Sequence, residues 1–319
     1  MTRRKRIVVG CLVAVIGFPV ALVLAVVVFL HALNPLLLGG GDEHNGTLVS
    51  SGRRREYLLH VPARHLRGKP APLVISLHPA AVFPTVLRNA SLWNELADRE
   101  GFFVVYPWGR RIAPLPILPS LPVWPVESEA ALTEEIAFIA DLIDELVRTH
   151  GVDPPRVYVN GFSNGGAMTF ALSCRLSHRI AAVGTVAAAH VLPWSWCTDT
   201  RPVPLIAFHG TDDPLVPYRG GGSFGHSFPS AADWAANWAR RNRCTREPIT
   251  TRLRGANRLE YTGCADGAEV HLYAIEGGGH TWPGGSPLPR LLVGRTVTGV
   301  DATREMWEFF RLRRRGKRP

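Results

Sequence analysis

Residues 157 to 169 read VYVNGFSNGGAMT, and this stretch decides the fold. Its first three residues predict a buried strand, and Ala167 and Met168 begin a stretch that is compatible with a helix. Between them lies the pattern G-x-S-x-G, in which a sharp turn presents a serine hydroxyl at a helix N-terminus. We therefore predict that Ser163 is a nucleophile and that the N–H of Asn164 stabilises an oxyanion. A purely structural turn is the alternative.

Short apolar runs alternate with helical patterns along most of the chain. The apolar runs predict strands at residues 57–61, 73–77, 102–106, 157–159, 183–187, 205–208 and 270–275. Helical spacing predicts a helix over 132–146 that stops at Gly151, a second after Ser163, a third over 231–241 and a last one from about Ala302. This alternation implies an α/β fold, in which helices cover both faces of a mostly parallel sheet.

The segment 110–125 interrupts this alternation with five prolines among apolar residues. Proline removes a backbone donor and fixes φ, so the segment can be neither a regular helix nor a central strand. An apolar loop of this length either packs against the body of the domain or forms one wall of a substrate cleft. Both interpretations stay open on sequence alone.

A serine hydroxyl is a weak nucleophile, so it needs a base and a carboxylate that orients the base. The strand at 205–208 leads into Asp212 and Asp213, and the last strand leads into a glycine-rich loop that contains His280. We predict that His280 is the base, because His78 and His209 lie at strand ends where local backbone hydrogen bonds are expected. Spacing favours Asp213 over Asp212 as the acid without deciding between them.

Composition and charge limit the classes of function. Apolar residues make up 46% of the 319 and charged residues 19%, which is typical of a globular chain rather than a disordered one. The net charge of +10 comes from four cations at residues 3–6 and six at 311–318, so the chain between them is neutral. A neutral body argues against a nucleic-acid partner. No H-E-x-x-H, paired C-x-x-C or G-x-x-x-x-G-K pattern occurs, so neither a metal nor another cofactor is implied.

The N-terminal region predicts a membrane segment. Residues 7–33 carry no charge, and as a helix they would span ~40 Å, against ~30 Å of bilayer hydrocarbon. The four preceding cations place the N-terminus in the cytoplasm and the rest of the chain outside. Cleavage as a signal peptide, followed by secretion, is the alternative. The predicted layout is a cytoplasmic basic segment 1–6, a transmembrane anchor 7–33, a tether 34–46, a catalytic domain 47–310 and a basic tail 311–319.

Three motifs resemble the polyhydroxybutyrate depolymerase and feruloyl esterase group, which is similar to carbohydrate esterase family one within the α/β-hydrolase fold. They are residues 158–169, the stretch 209–218 that contains HGTDDP and VPY, and the stretch GGHTWPG at 278–284. The resemblance covers residues 55 to 310. It implies an α/β-hydrolase fold with Ser163 as nucleophile, Asp213 as acid and His280 as base.

The resemblance also implies an oxyanion loop and a disulfide pairing. Leu77-His78-Pro79-Ala80 matches the first oxyanion loop of the group, so the N–H of Ala80 joins that of Asn164, although Pro79 stands where the group usually has glycine. Four cysteines outside the membrane segment suggest two disulfides in an oxidising compartment. The resemblance favours Cys244 with Cys264, which leaves Cys174 with Cys197.

Together these features predict a serine esterase whose domain lies outside the cytoplasm. The resemblance implies hydrolysis of polyhydroxybutyrate-type, feruloyl or acetyl esters without a cofactor. An acyltransferase of the cell envelope and a non-catalytic binding protein on the same fold are the alternatives, and Pro79 is the support for the latter. Trp124 and Trp282, with Trp194 and Trp196, are candidates for lining an apolar substrate cleft, and burial in the core is the alternative.

Overall fold

The computed structural model describes residues 44–65, 69–113, 119–223 and 225–316. The predicted membrane segment 7–33 and most of the predicted tether lie outside these ranges. Within them, no helix is long and apolar enough to cross a bilayer.

A ten-stranded sheet forms the centre of the described part of the chain, in the order β1-β2-β4-β3-β7-β8-β9-β14-β13-β12. The six strands from β4 to β14 are parallel, and antiparallel strands extend the sheet at both edges. Its strands are β1 (Gly46–Ser50), β2 (Arg53–His60), β3 (Ala71–Leu77), β4 (Phe103–Pro107), β7 (Val152–Phe162), β8 (Ala182–Val186), β9 (Leu205–Gly210), β12 (Ile249–Leu253), β13 (Ala256–Tyr261) and β14 (Val270–Ile275). Two short hairpins lie apart from the sheet: β5 (Arg110–Ile112) with β6 (Leu121–Val123), and β10 (Gly221–Ser223) with β11 (His226–Phe228).

The described residues contain seven α-helices, of which six cover the sheet. They are α1 (Pro84–Ser91), α2 (Trp93–Glu100), α3 (Glu129–His150), α4 (Asn164–Arg175), α5 (Ala231–Arg241), the short α6 (Arg290–Val293) and α7 (Ala302–Arg311). Helix α3 begins where the Ser128 hydroxyl accepts a hydrogen bond from the N–H of Ala131, and it ends at Gly151, whose φ is 70°. The predicted stop at Gly151 is therefore confirmed.

Both faces of the sheet are buried, as the apolar central strands require. Side chains alternate across a strand, so Leu73, Ile75 and Leu77 of β3 enter one apolar layer and Val74 enters the other. Helices α3, α4 and α5 pack on the first layer, and α1, α2 and α7 pack on the second. The predicted α/β class with helices on both faces is confirmed.

The proline-rich segment 110–125 both packs against the body of the domain and forms part of a pocket wall, the two interpretations that the sequence left open. Its described ends form the β5–β6 hairpin, and Leu121 and Trp124 are buried against the body of the domain. Val123 in the same hairpin lines the pocket that contains Ser163. The segment is thus a packed loop that also contributes to a pocket wall.

Two disulfides tie loops to the sheet-covering helices. Cys174 at the end of α4 pairs with Cys197, 23 residues along the chain, and Cys244 after α5 pairs with Cys264, 20 residues along. This is the pairing that the family resemblance implies. Closing loops of this length stabilises a fold by ~3 kcal/mol in the chain-entropy model. Disulfides persist in oxidising compartments, so the pairing fits a domain outside the cytoplasm.

Candidate active site

Ser163 lies at the sharp turn between the central strand β7 and helix α4. Its φ is 54° and its ψ is −116°, a strained conformation for a residue with a side chain. Strain at this position is the geometry of the nucleophile turn that the pattern G-x-S-x-G predicts. The turn puts Ser163 at the carboxyl edge of the parallel sheet, directly before the N-terminus of α4.

Two glycines make this turn sterically feasible. A Cβ atom on Gly161 would lie 2.1 Å from the carbonyl oxygen of Gly165, and a Cβ on Gly165 would lie 2.2 Å from the carbonyl oxygen of Leu77. No side chain fits at either distance. The second contact also brings the end of β3, and with it the loop 78–80, against the start of α4.

Asp213 and His280 meet at the same edge of the sheet. They follow β9 and β14, which are adjacent parallel strands, and His280 Nδ1 lies 2.8 Å from Asp213 Oδ2. The backbone N–H of His280 donates to the carbonyl oxygen of Val293. The ring of Phe162 packs on the imidazole with centroids 5.0 Å apart. Because a carboxylate accepts from Nδ1, the other ring nitrogen is left as an acceptor.

The carboxylate of Asp213 is buried and fully partnered. Its Oδ1 accepts the N–H groups of Leu215, at 2.8 Å, and Val216, at 2.9 Å, while His209 Nε2 lies 3.5 Å from Oδ2. Burial alone would raise the pKa of Asp213, but the hydrogen bonds and charges of His209 and His280 hold that pKa below its usual range. Asp213 is therefore ionised wherever the domain is folded near neutral pH.

His209 holds the acid loop in place. Its Nε2 also lies 2.8 Å from the carbonyl oxygen of Val216, so the ring bridges both ends of the turn that carries Asp213. The predicted local backbone bond of His209 is present. Its contact with Asp213 was not anticipated from the sequence, although the spacing of four residues after a strand end is a signal for it.

Ser163 and His280 line one pocket of about 560 Å³. Asn164, Pro79 and Ala80 lie in its wall, as the oxyanion assignment requires. The N–H of Asn164 occupies the first position of α4, so it has no partner within the helix and is available to a ligand. Glu127 and His226 also line the pocket and had not been predicted, since nothing in their local sequence distinguishes them.

A network of buried and partly buried hydrogen bonds connects the loop 78–80, which is the predicted oxyanion loop, to α4. The side-chain amide of Asn164 donates to the carbonyl oxygen of Trp124 and accepts the N–H of Trp124, at 3.0 and 2.8 Å. The indole Nε1 of Trp124 donates in turn to the carbonyl oxygen of His78, at 3.0 Å. His78 Nε2 accepts the N–H of Gly109, so its Nδ1 carries a proton and donates to the carbonyl oxygen of Pro79. The network fixes the loop that contains Pro79 relative to the first turn of α4.

The prediction that Trp124 and Trp282 line a cleft is wrong. Both side chains are about 1% exposed, and neither is among the residues that line the pocket. The indole of Trp282 donates to the Thr303 hydroxyl and packs on Phe162 from behind. Trp194 and Trp196 also lie outside the pocket wall. The indole Nε1 of Trp124 has a hydrogen-bond partner 46 residues away and that of Trp282 a partner 21 residues away, and both of these rings lie in the core.

Asn164→Ala is expected to lower kcat about ten- to hundredfold with little change in KM. The substitution keeps the N–H of residue 164 but removes both side-chain bonds to Trp124, so the two sides of the oxyanion site lose their fixed spacing. Steady-state kinetics on an activated ester measures the effect. Asn257→Ala, which removes an exposed amide that bonds Glu276, is the matched control. An unchanged kcat in Asn164→Ala would show that the network does not position the site.

The free energy of unfolding is expected to fall by about 3 kcal/mol between pH 7 and pH 4 through His78 alone. Burial lowers the pKa of His78 to about 4, the bond to the Pro79 carbonyl acts in the opposite direction, and Arg111 lowers the pKa further. The unfolded chain binds a proton near pH 6.5 that the folded chain accepts only near pH 4, so stability is lost as pH falls through this window. Protonation of His78 would also put a hydrogen on Nε2, which would then face the N–H donor of Gly109 instead of accepting its hydrogen bond. Denaturant titrations at several pH values measure the slope, and a flat profile would contradict it.

Within the described ranges, no group of three or more His, Cys, Asp or Glu side chains is placed to hold a metal ion.

The comparisons with known proteins agree with this architecture. A family model described as phospholipase/carboxylesterase matches residues 122–231, which include Ser163 and Asp213. The acetyl xylan esterase from Aspergillus awamori superposes with a TM-score of 0.55 at 17% identity, covering 80% of this chain and 93% of that one. The described part of the chain has an α/β-hydrolase-like fold.

Its sequence relatives are named as esterases. Feruloyl esterase B of Piromyces equi is 32% identical over 234 residues, which are 71% of this chain and 42% of the relative. Feruloyl esterase C of Emericella nidulans is 26% identical over 282 residues, which are 86% of this chain and 88% of the relative. The chain spans less than half the length of the first two curated relatives that it matches. The resemblance to feruloyl esterases is confirmed, and the one to polyhydroxybutyrate depolymerases stays a prediction.

Proposed function

We propose that the chain is a serine carboxylic-ester hydrolase. The observation that carries this proposal is the 2.8 Å contact between Asp213 and His280, because His280 lines the same pocket as the strained Ser163. A nucleophile at a strained turn, a histidine with one nitrogen fixed by a buried carboxylate, and free N–H groups at a helix N-terminus are the parts that acyl transfer needs. The esterase relatives support the same chemistry.

In the proposed mechanism, Ser163 Oγ attacks the ester carbonyl while His280 Nε2 takes its proton. Asp213 holds the imidazole in the tautomer with hydrogen on Nδ1 and stabilises the imidazolium that forms. His280 then gives the proton to the leaving alcohol as the tetrahedral intermediate collapses to an acyl-enzyme. A water molecule activated by His280 attacks the acyl-enzyme, which releases the acid and restores Ser163.

The developing oxyanion is assigned to the N–H groups of Asn164 and Ala80. The N-terminus of α4 favours negative charge at this point, and the hydrogen-bond network through Trp124 keeps the two donors at a fixed spacing. Pro79 removes one donor that a glycine would offer. Ala80 follows Pro79 and still has its N–H, so the proposed site has two donors, Ala80 and Asn164, although proline stands where the group usually has glycine.

The proposed substrates are esters of the kinds that the relatives' names include, feruloyl and acetyl, together with the polyhydroxybutyrate-type esters of the resemblance. The proposed layout keeps residues 1–6 in the cytoplasm, uses residues 7–33 as an anchor and places the catalytic domain 47–310 outside. The two disulfides support the outer location, whether the N-terminal segment anchors the chain or is cleaved for secretion.

Product analysis with the full chain tests the proposal. Nitrophenyl acetate, methyl ferulate, acetylated xylan and hydroxybutyrate oligomers are offered with and without a sugar or glycerol as acceptor alcohol. Release of free acid from at least one ester, undiminished by the acceptor, is the expected result. A new ester formed at the expense of free acid would make the chain an acyltransferase. Turnover of no substrate by the folded chain would contradict the proposal.

A further inference from the structure

The pocket around Ser163 is walled mostly by aliphatic side chains. Val86 and Leu87 come from α1, Val123 and Val126 from either side of Trp124, and Leu288 and Val293 from the segment around α6. These residues belong to segments that are far apart in sequence and converge only in the fold. We infer that the pocket binds the aliphatic chain of an ester, an inference that rests on the proposed esterase function.

Polar groups inside the pocket are few and already assigned. Among the described residues of its wall, the polar side chains are those of Ser163, Asn164 and His280, together with Glu127 and His226. These two lie at the rim, with side chains 65% and 38% exposed, and their nearest atoms are 3.3 Å apart. Among the described residues, a sugar ring or the phenolic hydroxyl of a ferulate would therefore meet few side-chain donors or acceptors below the rim. Burying such hydroxyls without partners is unfavourable.

Aromatic platforms are also scarce in the wall. Among the described residues, Phe162 and Phe228 contribute phenyl rings to the wall, and the ring of Phe162 is already packed on His280. A flat aryl acid gains most from stacking between rings, whereas a flexible alkyl chain gains from any apolar surface. The wall therefore favours an alkyl chain over an aryl group.

At Leu292 the rim extends this apolar character to the surface. Leu292 lines the pocket and is 41% exposed, and Leu291 beside it on α6 is fully exposed. An apolar ester meets aliphatic side chains from the mouth of the pocket inward. Each methylene that enters such a site raises kcat/KM about three- to fourfold until the space is filled.

Two ester series measured with the full chain test the inference. The chain is kept in phosphatidylcholine nanodiscs, so that no detergent occupies the pocket. Nitrophenyl esters from acetate to decanoate vary the acyl side, and alkyl acetates from methyl to octyl vary the alcohol side. We expect kcat/KM to rise at least thirtyfold from two to six carbons in one of the series, which also tells which side of the ester the pocket takes. Methyl ferulate is expected to be at least tenfold poorer than the best aliphatic ester.

Leu292→Asp provides a matched test of the rim. It is expected to lower the ratio of kcat/KM for octanoate to that for acetate at least tenfold, because a carboxylate then faces the alkyl chain. Leu312→Asp alters a leucine that is 72% exposed at the end of α7 and lies outside the pocket wall, and it is expected to leave the ratio unchanged.

The outcomes separate the inference from the function on which it rests. If kcat/KM is flat or falls with chain length in both series, or if methyl ferulate is the best substrate, while hydrolysis still depends on Ser163, the inference is overturned and the esterase stands. An equal loss of the ratio in Leu292→Asp and Leu312→Asp also overturns it. If the folded chain hydrolyses no ester, the proposed function fails and the inference fails with it.

Discussion

Replacing Ser163 with alanine is expected to lower kcat for ester hydrolysis about 10⁵- to 10⁶-fold, to a rate that reflects only binding and the oxyanion donors. The loss is large because the acyl-enzyme route requires an oxygen nucleophile at this turn, and a methyl group offers none. Removal of the hydroxyl leaves the strained backbone and the close glycine contacts unchanged, so the variant should remain folded. Initial rates on the best ester measure the effect.

Ser227→Ala serves as the control for Ser163→Ala. Ser227 is exposed on β11 beside the pocket residues His226 and Phe228, and it does not line the pocket. Its replacement is expected to leave kcat within twofold. A Ser163→Ala variant that keeps more than one per cent of kcat would show that another group carries the reaction.

Asp213→Asn is expected to lower kcat about 10⁴-fold with the structure preserved. The N–H groups of Leu215 and Val216 both donate to Oδ1, so in the variant the carbonyl oxygen of the asparagine takes that place. The amide NH₂ must then face Nδ1 of His280, which becomes an acceptor. The proton moves to Nε2, and the imidazole can no longer take the proton of Ser163.

Asp212→Asn is the matched control, and it decides between the two acids that spacing left open. Asp212 is exposed, and its carboxylate accepts from the Thr211 hydroxyl rather than from His280. Its replacement is expected to change kcat less than threefold. A larger loss in Asp212→Asn than in Asp213→Asn would reverse the assignment of the acid.

The nucleophile turn was predictable because its determinants are local. Gly161 and Gly165 are each two residues from Ser163, and the contacts that exclude a side chain at them come from the turn itself and from the adjacent strand β3. The strained φ of Ser163 follows from the same few residues. The pattern G-x-S-x-G predicts a nucleophile turn wherever a strand precedes it and a helix follows it, and the sequence indicated both.

The meeting of Asp213 with His280 was predictable for a topological reason. The two residues are 67 positions apart, yet each directly follows a strand of the parallel sheet. Carboxyl ends of parallel strands lie along one edge, so loops that follow adjacent strands come together there. Periodicity alone did not show that β9 and β14 are neighbours. The order of the motifs along the chain, through the family resemblance, implied only that Asp213 and His280 act together.

The pocket and the positions of the tryptophans could not be predicted. An indole is equally suited to a cleft or a core, and the choice depends on partners that lie far away in sequence. For Trp124 the partner is the carbonyl oxygen of His78, 46 residues away, which no local pattern encodes. The edge strands β12 and β13 were missed for a related reason, since they are partly exposed and lack the apolar runs of the central strands.

Labelling with a fluorophosphonate, followed by peptide mass spectrometry, tests most directly whether Ser163 is an activated nucleophile. The full chain is treated beside Ser163→Ala and His280→Gln, each shown to be folded by circular dichroism. We predict a single adduct on the peptide that contains Ser163, no adduct in Ser163→Ala, and labelling slowed at least a thousandfold in His280→Gln. A folded full chain that takes up no label, or an adduct that persists in Ser163→Ala, would contradict the assignment of Ser163, Asp213 and His280 as a catalytic triad.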